Sequence, residues 1–275
     1  MIRMRTDFFA ESLGMGTSMV VLLPQAAAGI GMEGADGQAG ADAGSARGVP
    51  VLYLLHGLSD DCTIWERRTS IERYATEKGI AVVMPEVRRS FYADEAVGEA
   101  YWTFVAEELP QLIARTFRVS TAREDTFVAG LSMGGFGAFK LALNHPERFA
   151  AAASLSGALD PSSLSLELNT GHLAERIWAG RDLTGTEDDL CGLLAAADPA
   201  ALPALFLDCG TEDQLLGMNR GFLDAARQYG VELTSRLRPG AHTWDFWDQG
   251  IQDVLDWLPL LSALVLSIML LSSVV

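Results

Sequence analysis

The stretch Thr126 to Lys140, TFVAGLSMGGFGAFK, constrains the fold of this chain more than any other. A short apolar run, Thr126 to Ala129, enters Gly130-Leu131-Ser132-Met133-Gly134, and a small-residue helical pattern from Gly135 to His145 leaves it. The pattern predicts a buried strand, a sharp turn and a helix, with Ser132 on a strained elbow and its hydroxyl exposed above a sheet. Gly130 and Gly134 stand two residues either side of the serine, where a β-carbon would collide as the strand folds back against the helix. A helix N-terminus beneath Ser132 also turns free N–H groups and positive dipole toward an oxyanion formed there. A glycine-rich turn with an incidental serine would read the same, so the rest of the chain has to supply the chemistry's other parts.

The runs around the elbow predict the sheet. Val49 to Leu55 (VPVLYLL), Ile80 to Pro85, Phe149 to Ser156 and Pro203 to Asp208 are continuous apolar runs, the pattern of parallel strands buried on both faces. Phe8 to Ser12 and Thr17 to Leu23 predict a hairpin at the start, and Val231 to Leu237 a last strand. Helical patterns alternate with them: from about Ser70 to Lys78, stopped by Gly79; Tyr101 to Phe117, with a kink at Pro110; Asn219 to Tyr229, closed by Gly230; and Trp244 to Leu258. Alternating strands and helices predict an α/β fold, a mostly parallel central sheet of about eight strands with helices on both faces.

Nothing in the middle of the 275 residues looks like a linker, so residues 1–258 are read as one domain with two insertions. Residues 25–48, rich in Gly and Ala with almost nothing to bury, are expected to be a flexible loop, and residues 158–201, polar and partly helical, a small cap. Residues 259–275 are an uncharged apolar tail at the lower length limit for crossing a bilayer, without flanking basic anchors. A helix packed on a second subunit or on the surface ranks slightly ahead of a membrane anchor or a reading-frame anomaly.

Three polar stretches sit where the sheet's carboxyl edge should be. His56-Gly57-Leu58 follows a buried strand, and the Leu58 amide, with the Met133 amide beside the serine, is the expected pair of oxyanion donors, each worth roughly 3 kcal/mol. His56 itself is read as a support for that loop. Cys209-Gly210-Thr211-Glu212-Asp213 follows another strand; Asp213, beyond the Gly turn, is preferred over Asp208 and Glu212 as the acid. Pro239-Gly240-Ala241-His242 follows the last strand, and of the four histidines only His242 has both order and location for a base. His145 reads as a helix cap, and His172 as a solvated or structural residue in the cap. Trp65, Phe91, Tyr92 and Trp244 are candidates for lining a substrate pocket.

The formal net charge of −16 argues against nucleic acid or an anionic membrane surface as partner and favours a neutral substrate over a polyanion. The three cysteines, Cys62, Cys191 and Cys209, have no C-x-x-C spacing and no clustered histidine, so no metal site, cofactor or disulfide framework is expected and a reducing compartment is simpler. The N-terminus superficially resembles a signal peptide, but Asp7 and Glu11 interrupt the basic-then-apolar order, so a cytoplasmic location is expected. The role of Cys62, close to the His56 loop, is left open.

Taken together, LLHGLSDDCTIW, TSIERYA, VVMPEVRRSFYAD, AEELPQLI, FVAGLSMGGFGAFKLAL, SLSGALD, CGTEDQLL and PGAHTWDFW resemble the esterase D-like branch of the α/β-hydrolases, most of all the bacterial tributyrin esterases. The resemblance runs from about residue 50 to 258. It implies Ser132 as nucleophile, Asp213 as acid, His242 as base, Leu58 and Met133 amides as oxyanion hole, short-chain acyl esters as substrates, and a homo-oligomer. Neighbouring readings are an S-formylglutathione hydrolase-type thioesterase, a feruloyl or acetyl-xylan esterase, an acyltransferase like the mycolyltransferases and, from another class, a non-catalytic binding module. The loop before residue 49 and the tail after 258 depart from the family pattern, and nothing carries over to them.

Overall fold

The computed structural model describes residues 1–25, 48–163 and 171–260; the expectations for the Gly/Ala-rich loop, for 164–170 of the cap and for 261–275 of the tail lie outside the described residues. Eight strands form one sheet: β1 (Ile2–Ala10), β2 (Met15–Leu23), β3 (Val51–Leu55), β4 (Ala81–Pro85), β5 (Thr126–Leu131), β6 (Ala151–Leu155), β7 (Ala204–Gly210) and β8 (Thr234–Arg238). Their order is β1-β2-β4-β3-β5-β6-β7-β8. The first two pairings, β1 with β2 and β2 with β4, are antiparallel, and the rest are parallel. The N-terminal hairpin starts at Ile2, earlier than the expected Phe8, so the stretch that resembles a leader is an edge strand with one face half-buried.

β3, β4, β5 and β6 are buried at every residue. The reason is that successive side chains leave a strand on opposite faces and both faces are covered. Val51, Tyr53 and Leu55 join one apolar cluster while Leu52 and Leu54 join the other. The second cluster is capped by α1 (Ile64–Arg68), α2 (Ile71–Lys78) and a C-terminal helix, Trp244–Trp257, through Ile64, Trp65, Ile71, Tyr74, Trp247 and Ile251.

On the first cluster lie α3 (Tyr101–Thr103), α4 (Leu109–Thr116) and α5 (Met133–Asn144). They are followed by α6 (Gly171–Trp178), α7 (Leu190–Ala196) and α8 (Leu216–Gln228), which makes the C-terminal helix α9.

Pro110 does not simply bend one helix. Between α3 and α4 the backbone forms a π turn, Phe104–Glu108, and Pro110 sits in the first turn of α4, where its missing N–H is cheapest. A proline at 110 cannot bond the carbonyl four residues back, that of Ala106; the Arg148 guanidinium donates to it instead.

α6 is tied to the loop after β4: Ala96 and Val97 N–H donate to the carbonyls of Ile177 and Arg176, and Arg176 pairs with Glu95 at 2.7 Å. Beneath this contact Lys140 of α5 is fully buried. Its ammonium meets Asp188 Oδ1 at 2.5 Å, donates to the Tyr92 carbonyl at 3.0 Å and lies 4.3 Å from the centre of the Trp102 ring. Asp188 Oδ2 accepts from the Trp178 indole at 2.8 Å. Burial pushes the Lys140 ammonium below its ordinary pKa, against the pull of Asp188. Lys140→Ala leaves a buried carboxylate without its cation and is expected to cost about 3–5 kcal/mol. A thermal melt roughly 10 °C lower checks it, and a variant melting like the parent would refute it.

Candidate active site

Seen from β5, the elbow is built by steric necessity. A β-carbon on Gly130 would run into the Gly134 carbonyl, and one on Gly134 into the Leu55 and His56 carbonyls. Ser132 takes φ 53°, ψ −118°, a conformation a serine holds only where neighbours impose it. Those neighbours are on both sides: its N–H donates to Leu155 O at 2.9 Å, and its carbonyl accepts from Phe136 N–H and Ala158 N–H. Unlike the rest of the elbow, Ser132 is partly open to solvent.

Two loops from the far end of the sheet bring it partners. His242, after β8, places Nε2 3.0 Å from Ser132 Oγ. Its Nδ1 lies 2.9 Å from Asp213 Oδ2 and 3.1 Å from Oδ1. A carboxylate only accepts, so Nδ1 carries the proton and Nε2 is free to accept from the serine hydroxyl. Burial pushes the Asp213 carboxyl up, but the hydrogen bond and charge of His242, the Leu215 N–H and the Ser156 hydroxyl outweigh it and hold the group below the usual carboxylate range. Asp213 therefore stays anionic, as a partner for an imidazolium must.

Asp208 does different work. Fully buried at the end of β7, it accepts from Arg238 at 2.8 Å and Arg236 at 3.0 Å, and these arginines lie over the Phe246 and Phe206 rings. Glu212 accepts from the Thr211 hydroxyl and the Gly240 N–H, bracing the histidine loop from outside.

The loop after β3 reaches Ser132 from the opposite side. A β-carbon on Gly57 would lie 3.7 Å from Ser132 Cβ, so the Gly57-Leu58 backbone runs beside the serine. Among the described residues neither the Leu58 nor the Met133 amide donates to a protein acceptor. His56 sets the direction of the Leu58 donor. Its buried ring places Nδ1 2.7 Å from the Gly57 carbonyl, and Nε2 accepts from Val87 N–H at 3.1 Å. The Gly57 carbonyl and the Leu58 N–H belong to one planar peptide, so holding the first orients the second. Glu86 braces the same loop by accepting from Cys62 N–H and Arg88 N–H, a role its sequence context did not signal.

The pocket candidates need correction. Trp65, Phe91 and Tyr92 are 1%, 2% and 0% exposed and present no wall to solvent. Trp65 Nε1 donates to Leu55 O, Phe91 packs against Phe136 and Trp178, and the Tyr92 hydroxyl donates to His56 O. Only Trp244 is half-exposed, stacked edge-on against Trp65 at 5.4 Å. His172, on α6, is exposed and is not brought to the site, and His145 ends α5 with its ring stacked on Trp102.

Cys62 is buried with its thiol pushed up to about 11, by burial first and then by Glu86 and Asp61. Cys209 is buried and pushed up to about 12 by burial and Asp213. Thiols of this kind are protonated and shielded at neutral pH. Alkylation of the folded protein at pH 8 is therefore expected to spare both and leave activity intact; modification of Cys62 with loss of activity would refute this. Among the described residues no cluster of His, Cys, Asp or Glu could hold a metal ion, and no helix is long and apolar enough to cross a membrane.

Known proteins resemble this chain over most of its length. The Esterase family model matches residues 42–258. An acetyl esterase of Caldicellulosiruptor saccharolyticus is 26% identical over 266 residues, taking in 93% of this chain and 97% of the relative. Substrate-bound FphF, a fluorophosphonate-binding serine hydrolase of Staphylococcus aureus, superposes with a TM-score of 0.82 at 33% identity over 94% of this chain and 98% of its own. The S-formylglutathione hydrolase FrmB of the same organism superposes with a TM-score of 0.79 at 33% identity, with the same coverage of 94% and 98%.

Proposed function

Because this chain belongs to the Esterase family, matched over residues 42–258, we propose that its carboxylic ester hydrolysis runs on Ser132, His242 and Asp213 and is directed at short-chain acyl esters. The observation that carries the reading is the continuous line from Asp213 through Nδ1 and Nε2 of His242 to Ser132 Oγ at 3.0 Å. His242 accepts the hydroxyl proton as Ser132 attacks the ester carbonyl, and the charge that develops on the carbonyl oxygen falls to the Leu58 and Met133 amides. The imidazolium, held by Asp213, gives its proton to the departing alkoxide. Water then repeats the sequence on the acyl-enzyme and releases the acid.

Residues 1–258 form the catalytic unit in this proposal, with 158–201 as its cap. Short acyl groups are supported by the resemblance to tributyrin esterases and by the acetyl esterase relative; a neutral substrate is supported by the net charge of −16. The likeness to FrmB keeps a glutathione thioester as the second reading. A cytoplasmic location rests on three unpaired cysteines, and a homo-oligomer on the resemblance; for the tail, residues 259–275, packing on a second subunit or on the surface ranks ahead of membrane contact.

A p-nitrophenyl ester series from acetate to octanoate, run beside S-formylglutathione and a feruloyl ester, tests the substrate. The expected result is a maximum in kcat/KM at two to four carbons and a loss of roughly tenfold or more by eight, the scale on which a pocket discriminates added methylenes. A maximum at eight carbons would overturn the short-chain reading. A roughly hundredfold preference for the thioester would put the second reading first.

A further inference from the structure

Ser156, the residue after β6, has a positive φ of 50° and is 0% exposed. Glycine takes such a backbone at no steric cost and serine does not, so the side chain is present for something its hydroxyl does. The hydroxyl oxygen accepts from the Trp247 indole N–H at 3.2 Å. The Trp247 ring stands edge-on to His242, centroids 4.7 Å apart at 89°. Trp247 is backed edge-on by Trp244 at 5.3 Å, and Trp244 by buried Trp65.

We propose that Ser156 and Trp247 are a positioning pair for the reaction: the Ser156 hydroxyl fixes the Trp247 indole, and Trp247 fixes the His242 ring. Neither touches the ester. The pair holds the His242 imidazole in line with Ser132, a residue 110 positions earlier in the chain. The inference rests on the Ser132-His242-Asp213 reading given above.

Ser156→Gly, Trp247→Phe and the double variant test it with p-nitrophenyl acetate, each normalised by active-site titration with a fluorophosphonate. Ser156→Gly removes the hydroxyl and relieves the backbone, but strips the indole N–H of its acceptor. Trp247→Phe keeps a ring edge on His242 and removes that donor, so the double variant has no orphaned group and is expected to melt within a few degrees of the parent. Ser156→Gly is expected to lower kcat by roughly tenfold to a hundredfold, the cost of a slightly misplaced catalytic group, with KM within about twofold. Trp247→Phe is expected to lower kcat as well, and the double variant to lose no more than the larger single loss, because both single variants remove the same hydrogen bond. Parent-like kcat in Ser156→Gly overturns the proposal, as do multiplied losses in the double variant, or a melting decrease with kcat per titrated site unchanged. Should Ser132→Ala itself keep turnover, the failure belongs to the triad reading and not to this pair.

Discussion

Ser132→Ala is expected to lower turnover of a p-nitrophenyl ester by on the order of 10⁴ to 10⁶, with KM changed little. In the proposed route the hydroxyl is the group that becomes covalently acylated, and Cys62 and Cys209 do not substitute for it, being buried with raised thiol pKa values. The amides of Leu58 and Met133 stay in place in the variant, so a residual rate of roughly 10³ to 10⁴ over water is the expected floor. The alanine keeps the β-carbon and hence the positive φ of the elbow, so stability should not change. Loss of fluorophosphonate labelling together with an unaltered melt would be the matching structural check. Near-parental hydrolysis by this variant would sink the assignment of the nucleophile.

Asp213→Asn and Asp208→Asn should separate chemistry from stability. The asparagine at 213 can turn an NH₂ toward Nδ1, which favours the tautomer with the proton on Nε2, where it blocks acceptance from Ser132. A loss in kcat of about 10⁴ is expected, with the melt little changed. Asp208 has no contact with His242; it neutralises Arg236 and Arg238 at the β7–β8 edge. Its asparagine should weaken charge-assisted hydrogen bonds to both, costing about 2 kcal/mol of stability, while kcat per titrated site stays within about threefold. Kinetics and a urea titration on both variants decide between them. A larger kcat loss from Asp208→Asn would overturn the choice of acid.

The candidate substrate wall shows where reading a sequence runs out. Trp65, Phe91 and Tyr92 lie beside the motifs, and aromatics near a carboxyl edge invite a binding role. Whether an aromatic faces a ligand or the core depends on the direction in which its loop is held, and loops have no period that reveals a face. In the fold these rings hold the backbone of the site: Trp65 takes the Leu55 carbonyl and Tyr92 the His56 carbonyl, the two groups against which Gly134 packs. The π turn before Pro110 and the Lys140–Asp188 pair were hidden for a related reason. One needed the Arg148 guanidinium to donate to the freed carbonyl, and the other joins residues 48 positions apart.

What the sequence determined by itself was local or periodic. Continuous apolar runs marked the strands because a strand covered on both faces has no polar side to display. The Gly130-Leu131-Ser132-Met133-Gly134 elbow was legible because its steric demand falls on residues within two of the serine. The order of serine, acid and histidine, each one loop past a strand, narrowed the candidates to named residues. The tertiary structure decided which of those carboxylates meets the imidazole. Asp208 and Asp213 are five residues apart on one strand and loop, and only the register of β7 beside β8 gives the first two arginines and the second a histidine. It also set the Trp247 indole on the Ser156 hydroxyl and the Trp247 ring edge-on to His242, contacts that come from packing α9 against β6 and that no spacing along the chain could announce.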